Sequence, residues 1–322
     1  NNTLMGHESG NALTTGNHNV AIGYGTLSAE DAHGRNVAIG RSALNAQNAG
    51  ADAYNVAIGF HAGEIISTGI QNVLIGGLAG DALTTGNYNT AVGHLALTTE
   101  DGDGYNTAIG AYTLYTQNAG AAAYNTAVGY NAGFAMTTGI YNTLVGGLTG
   151  DALTSGGRNV AMGFGALSTE TAYGYNTAIG VNALNTQDAG ADAYNVAVGY
   201  SAGSTMSTGV LNTLIGGLAG DALTTGTYNV AVGVEALGSE DAHGKNTAIG
   251  YAALNALNAG VDAYNVAVGY NAGVALTSGI KNTLIGGDAG DALTIGNFNV
   301  ALGYNALTTS VDGDANVAIG YE

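Results

Sequence analysis

The feature that most constrains this chain is a pentad, Asn-[Val/Thr]-[Ala/Leu]-[Ile/Val/Leu/Met]-Gly, that recurs from one end of its 322 residues to the other. The pentad begins at Asn2, Asn19, Asn36, Asn55 and Asn72, and continues at the same steps to Asn316, giving nineteen starts. The steps run 17, 17, 19, 17 over and over, so the superperiod is 17 + 17 + 19 + 17 = 70 residues. Four coil types follow in order, starting for example at Asn72 (first), Asn89 (second), Asn106 (third) and Asn125 (fourth). A repeat of 17 to 19 residues is too short for a helical hairpin and carries no 3.6-residue apolar stripe, whereas short strands and turns fit it. The expected fold is all-β: a parallel β-solenoid, or β-roll, with two short strands per coil. It is expected to be left-handed and rod-like, about 90 Å long at strand spacing. Residues 1–322 read as one continuous repeat domain.

Side chains alternate along a strand, so pentad positions two and four share one face and position three looks the other way. Position four is always a large aliphatic and is expected inside. A second large apolar residue follows at position 9 in the second and third types (Leu97, Leu114) and at position 12 in the first and fourth (Leu83, Met136). Where position 9 lacks Leu it is Gly, as at Gly80 and Gly133, which points to one narrow core kept at constant apolar volume. The pentad Gly, and Gly86 and Gly139 near coil ends, suit turns needing φ > 0, and the pentad Asn tolerates the same region. Stacked Asn residues would also form an amide ladder.

Position three is Ala or Leu throughout, so both faces of each strand are apolar, as in a strand covered on both sides. The Ala/Leu stripe, including Ala57, Ala127 and Ala197, is therefore expected at an interface in a parallel homotrimer or other bundle. The alternative is a monomer whose long coil segments fold back over the stripe.

Composition narrows the function. With 5 Lys plus Arg against 23 Asp plus Glu, the net charge of -18 leaves no basic surface for phosphates, so no nucleic-acid partner is expected. No apolar run reaches the length of a membrane span, and the absence of Cys removes disulfides, thiolate metal sites and Cys nucleophiles together. The six His (His7, His18, His33, His61, His94 and His243) form no cluster that breaks the repeat, so no catalytic residue, cofactor site or metal site is assigned and no enzyme is expected. The acidic stretches Glu30-Asp31, Glu100 to Asp103, Glu240-Asp241 and Asp312 to Asp314 sit in second-type coils, with Glu170 alone in another. Carboxylates beside Gly can hold Ca²⁺, but the spacing matches no known calcium loop, and solvated turn charges are the preferred reading. Of 19 Tyr, nine precede a pentad Asn and seven follow a pentad Gly. Such rows can stack on sugar rings, which leaves host or cell-surface glycans as a possible partner, but packing on neighbouring coils is preferred. Thr pairs such as Thr84-Thr85 point to opposite faces, which leaves ice binding a distant option.

The strings Asn36-Val-Ala-Ile-Gly, Asn55-Val-Ala-Ile-Gly and Asn316-Val-Ala-Ile-Gly resemble the head repeats of trimeric autotransporter adhesins. Segments such as Asn176-Thr-Ala-Ile-Gly-Val-Asn-Ala-Leu are similar to the repeats of phage tail fibres and related surface proteins. The resemblance implies a trimeric left-handed β-roll, a structural and adhesive role in an extracellular fibre, and a place on a virion or cell surface. A self-assembling extracellular filament subunit is the alternative. Neither end carries an atypical capping coil, so the chain is expected to be a fragment of a longer fibre.

Overall fold

A computed structural model of the chain describes residues 1–102 and 104–322. Among them the regular elements are nineteen strands of three residues, each the central trio of a pentad. Nine of these, from Thr3–Met5 to Thr143–Val145, belong to a compact unit of residues 1–159. Ten, from Val160–Met162 to Val317–Ile319, belong to a second, residues 160–322. Within each unit every strand pairs in parallel with that of the next coil, like residue against like: Thr107 with Thr126, Ala108 with Ala127, Ile109 with Val128. The protein is an all-β parallel β-solenoid with one coil per repeat, and no described helix is long and apolar enough to cross a membrane.

Each coil holds one strand rather than the two expected. The pentad Gly closes the strand, and positions 7 and 9 turn the chain again in the left-handed region, as at Leu95 (φ 56°) and Leu97 (φ 54°), so no second extended run can form. Gly76 shows why its position admits no other residue: its φ is 139°, and a Cβ there would lie 2.3 Å from the Gly93 carbonyl oxygen. Gly86 and Gly139 do not take φ > 0; at Gly139 the reason for glycine is close stacking, since a Cβ would sit 2.4 Å from the Gly156 carbonyl oxygen. Nor do the pentad Asn residues take it. The residue before each from Asn19 onward does, as at Arg35 (φ 65°) and Tyr54 (φ 54°).

The faces of the strand are the reverse of the expected ones. Position three points inward: Ala57, Ala127 and Ala197 are fully buried, as is Leu74, while position-four residues such as Ile58 and Ile75 are 36% exposed. Ala is small because the coil is narrow and position 9 already fills it: Leu97 and Leu114 are fully buried. In first-type coils the volume is exchanged. A Cβ on Gly80 would meet Leu74 Cδ2 at 2.8 Å, and one on Gly63, in the preceding fourth-type coil, would meet Leu74 Cδ1 at 2.6 Å. One Leu at position three thus fills the space left by two glycines. The expected constancy of core volume holds, with a different partner supplying it.

The Asn column is an inward ladder. The backbone N–H of Asn72 donates to Asn55 Oδ1 (2.8 Å), that of Asn89 to Asn72 Oδ1 (2.8 Å), and that of Asn106 to Asn89 Oδ1 (3.0 Å). The Nδ2 of Asn55 and Asn72 donates to the carbonyls of Gly69 and Gly86 (2.7 and 2.9 Å), tying strand to coil end. These side chains are buried and bonded at both ends, which is the condition for a polar column to stabilise a core rather than weaken it.

Candidate interaction surface

Inward residues at positions 1 and 3 leave the alternate positions to face solvent, and the outward set extends past the strand at both ends. In the fourth-type coils it reads Tyr54, Val56, Ile58, Phe60, then Tyr124, Thr126, Val128, Tyr130, then Tyr194, Val196, Val198, Tyr200, then Tyr264, Val266, Val268, Tyr270. The aromatic residues at the two ends of this set are exposed, Tyr54 and Phe60 by 47% and 50%, and the strand residues between them are half-buried or exposed. The outer strand face of these coils therefore carries aliphatic residues bordered by an aromatic residue at each end, while other coils place Thr at position two, as at Thr90 and Thr107. Contiguous apolar surface of this kind marks an interaction site in soluble proteins.

The row before the pentad Asn is a stack. Tyr88, Tyr105, Tyr124 and Tyr141 lie ring on ring, with centroids 5.1, 4.8 and 5.7 Å apart, and Tyr175 and Tyr194 repeat the step at 4.7 Å. Four of the five basic residues occupy this same row, each over an aromatic ring: Arg35 over Tyr54 (5.3 Å), Arg158 over Tyr141 (5.6 Å), Lys245 over Tyr264 (5.0 Å) and Lys281 over Phe298 (5.2 Å). Arg35 Nη1 also donates to Tyr54 Oη (2.6 Å), and Lys245 Nζ to Tyr264 Oη (3.0 Å). Two acidic neighbours complete the row, with Arg35 Nε 2.9 Å from Asp52 and Lys245 Nζ 2.6 Å from Asp262. The hydrogen bond from Lys245 holds the Asp262 carboxyl below the usual carboxylate range and pushes the ammonium up. Within the stack each ring face is covered by the next ring. The inner rings of the stack thus offer edges and hydroxyls outward.

The acidic loops divide into two kinds of residue. Asp31, Asp101, Asp241, Asp312 and Asp314 are exposed, as turn charges should be, and Asp103 lies outside the described residues. Glu30, Glu100, Glu170 and Glu240 are instead fully buried, which corrects the reading of these stretches as solvated throughout. They stand at position 12, in the interior column that elsewhere holds Leu83, Gln117, Met136 and Leu153, all fully buried. Loss of water pushes the carboxyls of Glu30, Glu170 and Glu240 up, opposed by a backbone N–H three residues on. That donor is His33 (3.1 Å), Tyr173 (3.2 Å) or His243 (3.2 Å). In the next coil Gln47, Gln117 and Gln187 accept from the ladder amides of Asn55, Asn125 and Asn195 (2.7, 3.1 and 3.0 Å). The signal for these buried polar residues was present in the sequence: aligned on the pentad, Glu30 falls on the same column as Leu83.

The remaining histidines are scattered. His61 contacts Glu64, His94 Nδ1 lies 3.1 Å from the Gly77 carbonyl oxygen, and His7 stacks on Tyr24 at 5.5 Å. The structure brings no two of these three together. Comparison of the chain with protein-family models, with curated proteins and with solved structures finds no match.

Proposed function

We propose that the chain is the structural and adhesive repeat region of an extracellular fibre on a virion or cell surface, working without turnover of substrate. It associates with further copies of itself, in the first instance as a parallel homotrimer, with a self-assembling filament as the alternative arrangement. The observation that carries this reading is the outward strand face, whose position-four residues are aliphatic on every strand and which in the fourth-type coils is flanked by aromatic residues at both ends. A face of this kind is stable in water when another surface covers it. The resemblance of the pentads to adhesin and tail-fibre repeats supports the same role. The interface assigned here is positions two and four, not position three, because the latter fills the coil.

Light scattering on the full chain tests it. The wild type is expected at a multiple of 31.7 kDa, and the variant Ile58→Lys, Ile109→Lys, Ile215→Lys at 31.7 kDa with an unchanged circular dichroism spectrum. A wild type that runs at 31.7 kDa overturns the proposal.

One observation favours a second reading. Thr90, Thr107, Thr126 and Thr143 stand in register on four consecutive strands, all on the outward face, an array of hydroxyls and methyls at strand spacing that suits ordered water. Thermal hysteresis of the isolated chain would establish ice binding; freezing without it removes that reading.

A further inference from the structure

Two second-type coils carry Glu-Asp-x-His in the loop after the strand: Glu30, Asp31 and His33, and, three superperiods on, Glu240, Asp241 and His243. In each, one ligand atom from every member lies within 4.8 Å of the others. The glutamate is the anchor. Its side chain is wholly buried, its Oε1 is fixed by the backbone N–H of the histidine, and its Oε2 has no hydrogen-bond partner. The histidine Nδ1 is buried and unpartnered too, and lies 4.0 Å from Glu30 Oε1 in one copy and 3.8 Å from Glu240 Oε1 in the other. That is too long for a hydrogen bond. It is close to the separation of about 3–4 Å between two ligands that each stand about 2.0–2.2 Å from one metal ion. Asp31 and Asp241 are exposed and can rotate to close the third side. The loop is held in place without the ion: the Asp31 carbonyl accepts from the backbone N–H and hydroxyl of Thr14 (2.7 and 2.9 Å), and the Asp241 carbonyl likewise from Thr224 (2.6 and 2.7 Å).

We propose that these two loops are binding sites for a divalent transition-metal ion of the zinc class. Each has a buried glutamate, an exposed aspartate and the histidine Nδ1 as ligands, and water completes the coordination. An imidazole nitrogen with two carboxylates suits zinc, cobalt or nickel, whereas calcium takes six to eight oxygens and seldom nitrogen. The ion supplies the partner that the histidine Nδ1 lacks and, lying against the buried carboxylate, neutralises it where desolvation opposes its charge. The repeat contains its own control. Glu170 is buried in the same way and its Oε2 is likewise without a partner, but Thr171 and Tyr173 stand where Asp and His stand in these two coils, so only the latter pair the buried carboxylate with an unpartnered histidine Nδ1.

Calorimetric titration of the full chain with zinc tests this. Two ions per chain are expected, one after either His33→Asn or His243→Asn, and none after both, since two such ligand clusters are present among the described residues. Because each histidine is about a third exposed, these variants should keep the fold, which circular dichroism checks. The pair Thr171→Asp and Tyr173→His should add an ion to the wild-type number. Zinc should raise the melting temperature of the wild type and not that of the double histidine variant. Absence of zinc uptake by the folded wild type overturns the proposal, as does uptake retained by the double variant. Calcium bound at these positions in place of zinc overturns the metal class.

Discussion

Leu74 and Gly80 show how little freedom a single residue has inside a coil this narrow. Leu74→Ala should leave a cavity under Gly63 and Gly80 and cost about 2–5 kcal/mol, since neither glycine can supply the missing atoms. Gly80→Leu alone should also destabilise, because its side chain would start 2.8 Å from Leu74 Cδ2. Together the two changes rebuild the pairing of Ala91 with Leu97, with Leu at position 9 in the left-handed conformation that Leu97 already adopts (φ 54°). The double variant is therefore expected to recover part of the loss, with a favourable coupling of about 0.5–3 kcal/mol in a double-mutant cycle. Additive denaturation energies would show that the two positions do not share one space.

At the scale of the coil, the same exchange of volume makes coil order matter as well as coil number. Deleting residues 20–89 removes 70 residues, one superperiod, and joins Asn19 to Thr90, so every fourth-type coil still meets a first-type coil. That protein should melt within a few degrees of the parent. Deleting residues 72–88 removes only one first-type coil, yet it sets Gly63 against Ala91 where Leu74 had filled the gap, and should lower the melting temperature more than the larger deletion does. Equal effects would mean that coils are interchangeable.

The order of coils was legible in the sequence because a count of residues between pentads needs no knowledge of packing. The direction of the strand was not. Alternation at period two is symmetric, and with Val56 and Ile58 on one side and Ala57 on the other, size alone suggested that the larger residues lie inside. A coil already filled by its position-9 and position-12 side chains reverses that rule, leaving room only for Ala beside them. The burial of Glu30 is hidden in the sequence for a related reason: its neighbour Asp31 is an exposed turn charge, and two adjacent carboxylates look like one solvated loop although only the second meets water.

For the molecule as a whole, acidity and burial act in the same direction. Desolvation pushes the carboxyls of Asp81, Asp151, Asp221, Asp291 and Glu170 above their ordinary values of 3.8 for Asp and 4.5 for Glu, opposed in part by backbone hydrogen bonds. A carboxyl raised on folding favours the folded state fully while the pH is below its unfolded value, and that contribution is lost as the pH climbs through the folded value. Repulsion within a net charge of -18 grows over the same range. Asp262, held down by Lys245, opposes the trend, but as an exposed ion pair it is screened by solvent. The denaturation midpoint is therefore expected to be higher near pH 4 than near pH 8, and replacing the four aspartates by Asn should narrow the difference. A midpoint that rises with pH would refute this account.

The stacked tyrosines have a consequence in light. With no Trp in the chain, near-ultraviolet absorption and emission come from Tyr with a minor share from Phe, and four rings from Tyr88 to Tyr141 stand about one ring diameter apart in a fixed, nearly parallel array. At such separations an excited ring passes its energy to its neighbours before it emits. The folded protein thus carries, without any dye, an exciton-coupled chromophore whose circular dichroism and fluorescence depolarisation report the register of successive coils and vanish when that register is lost.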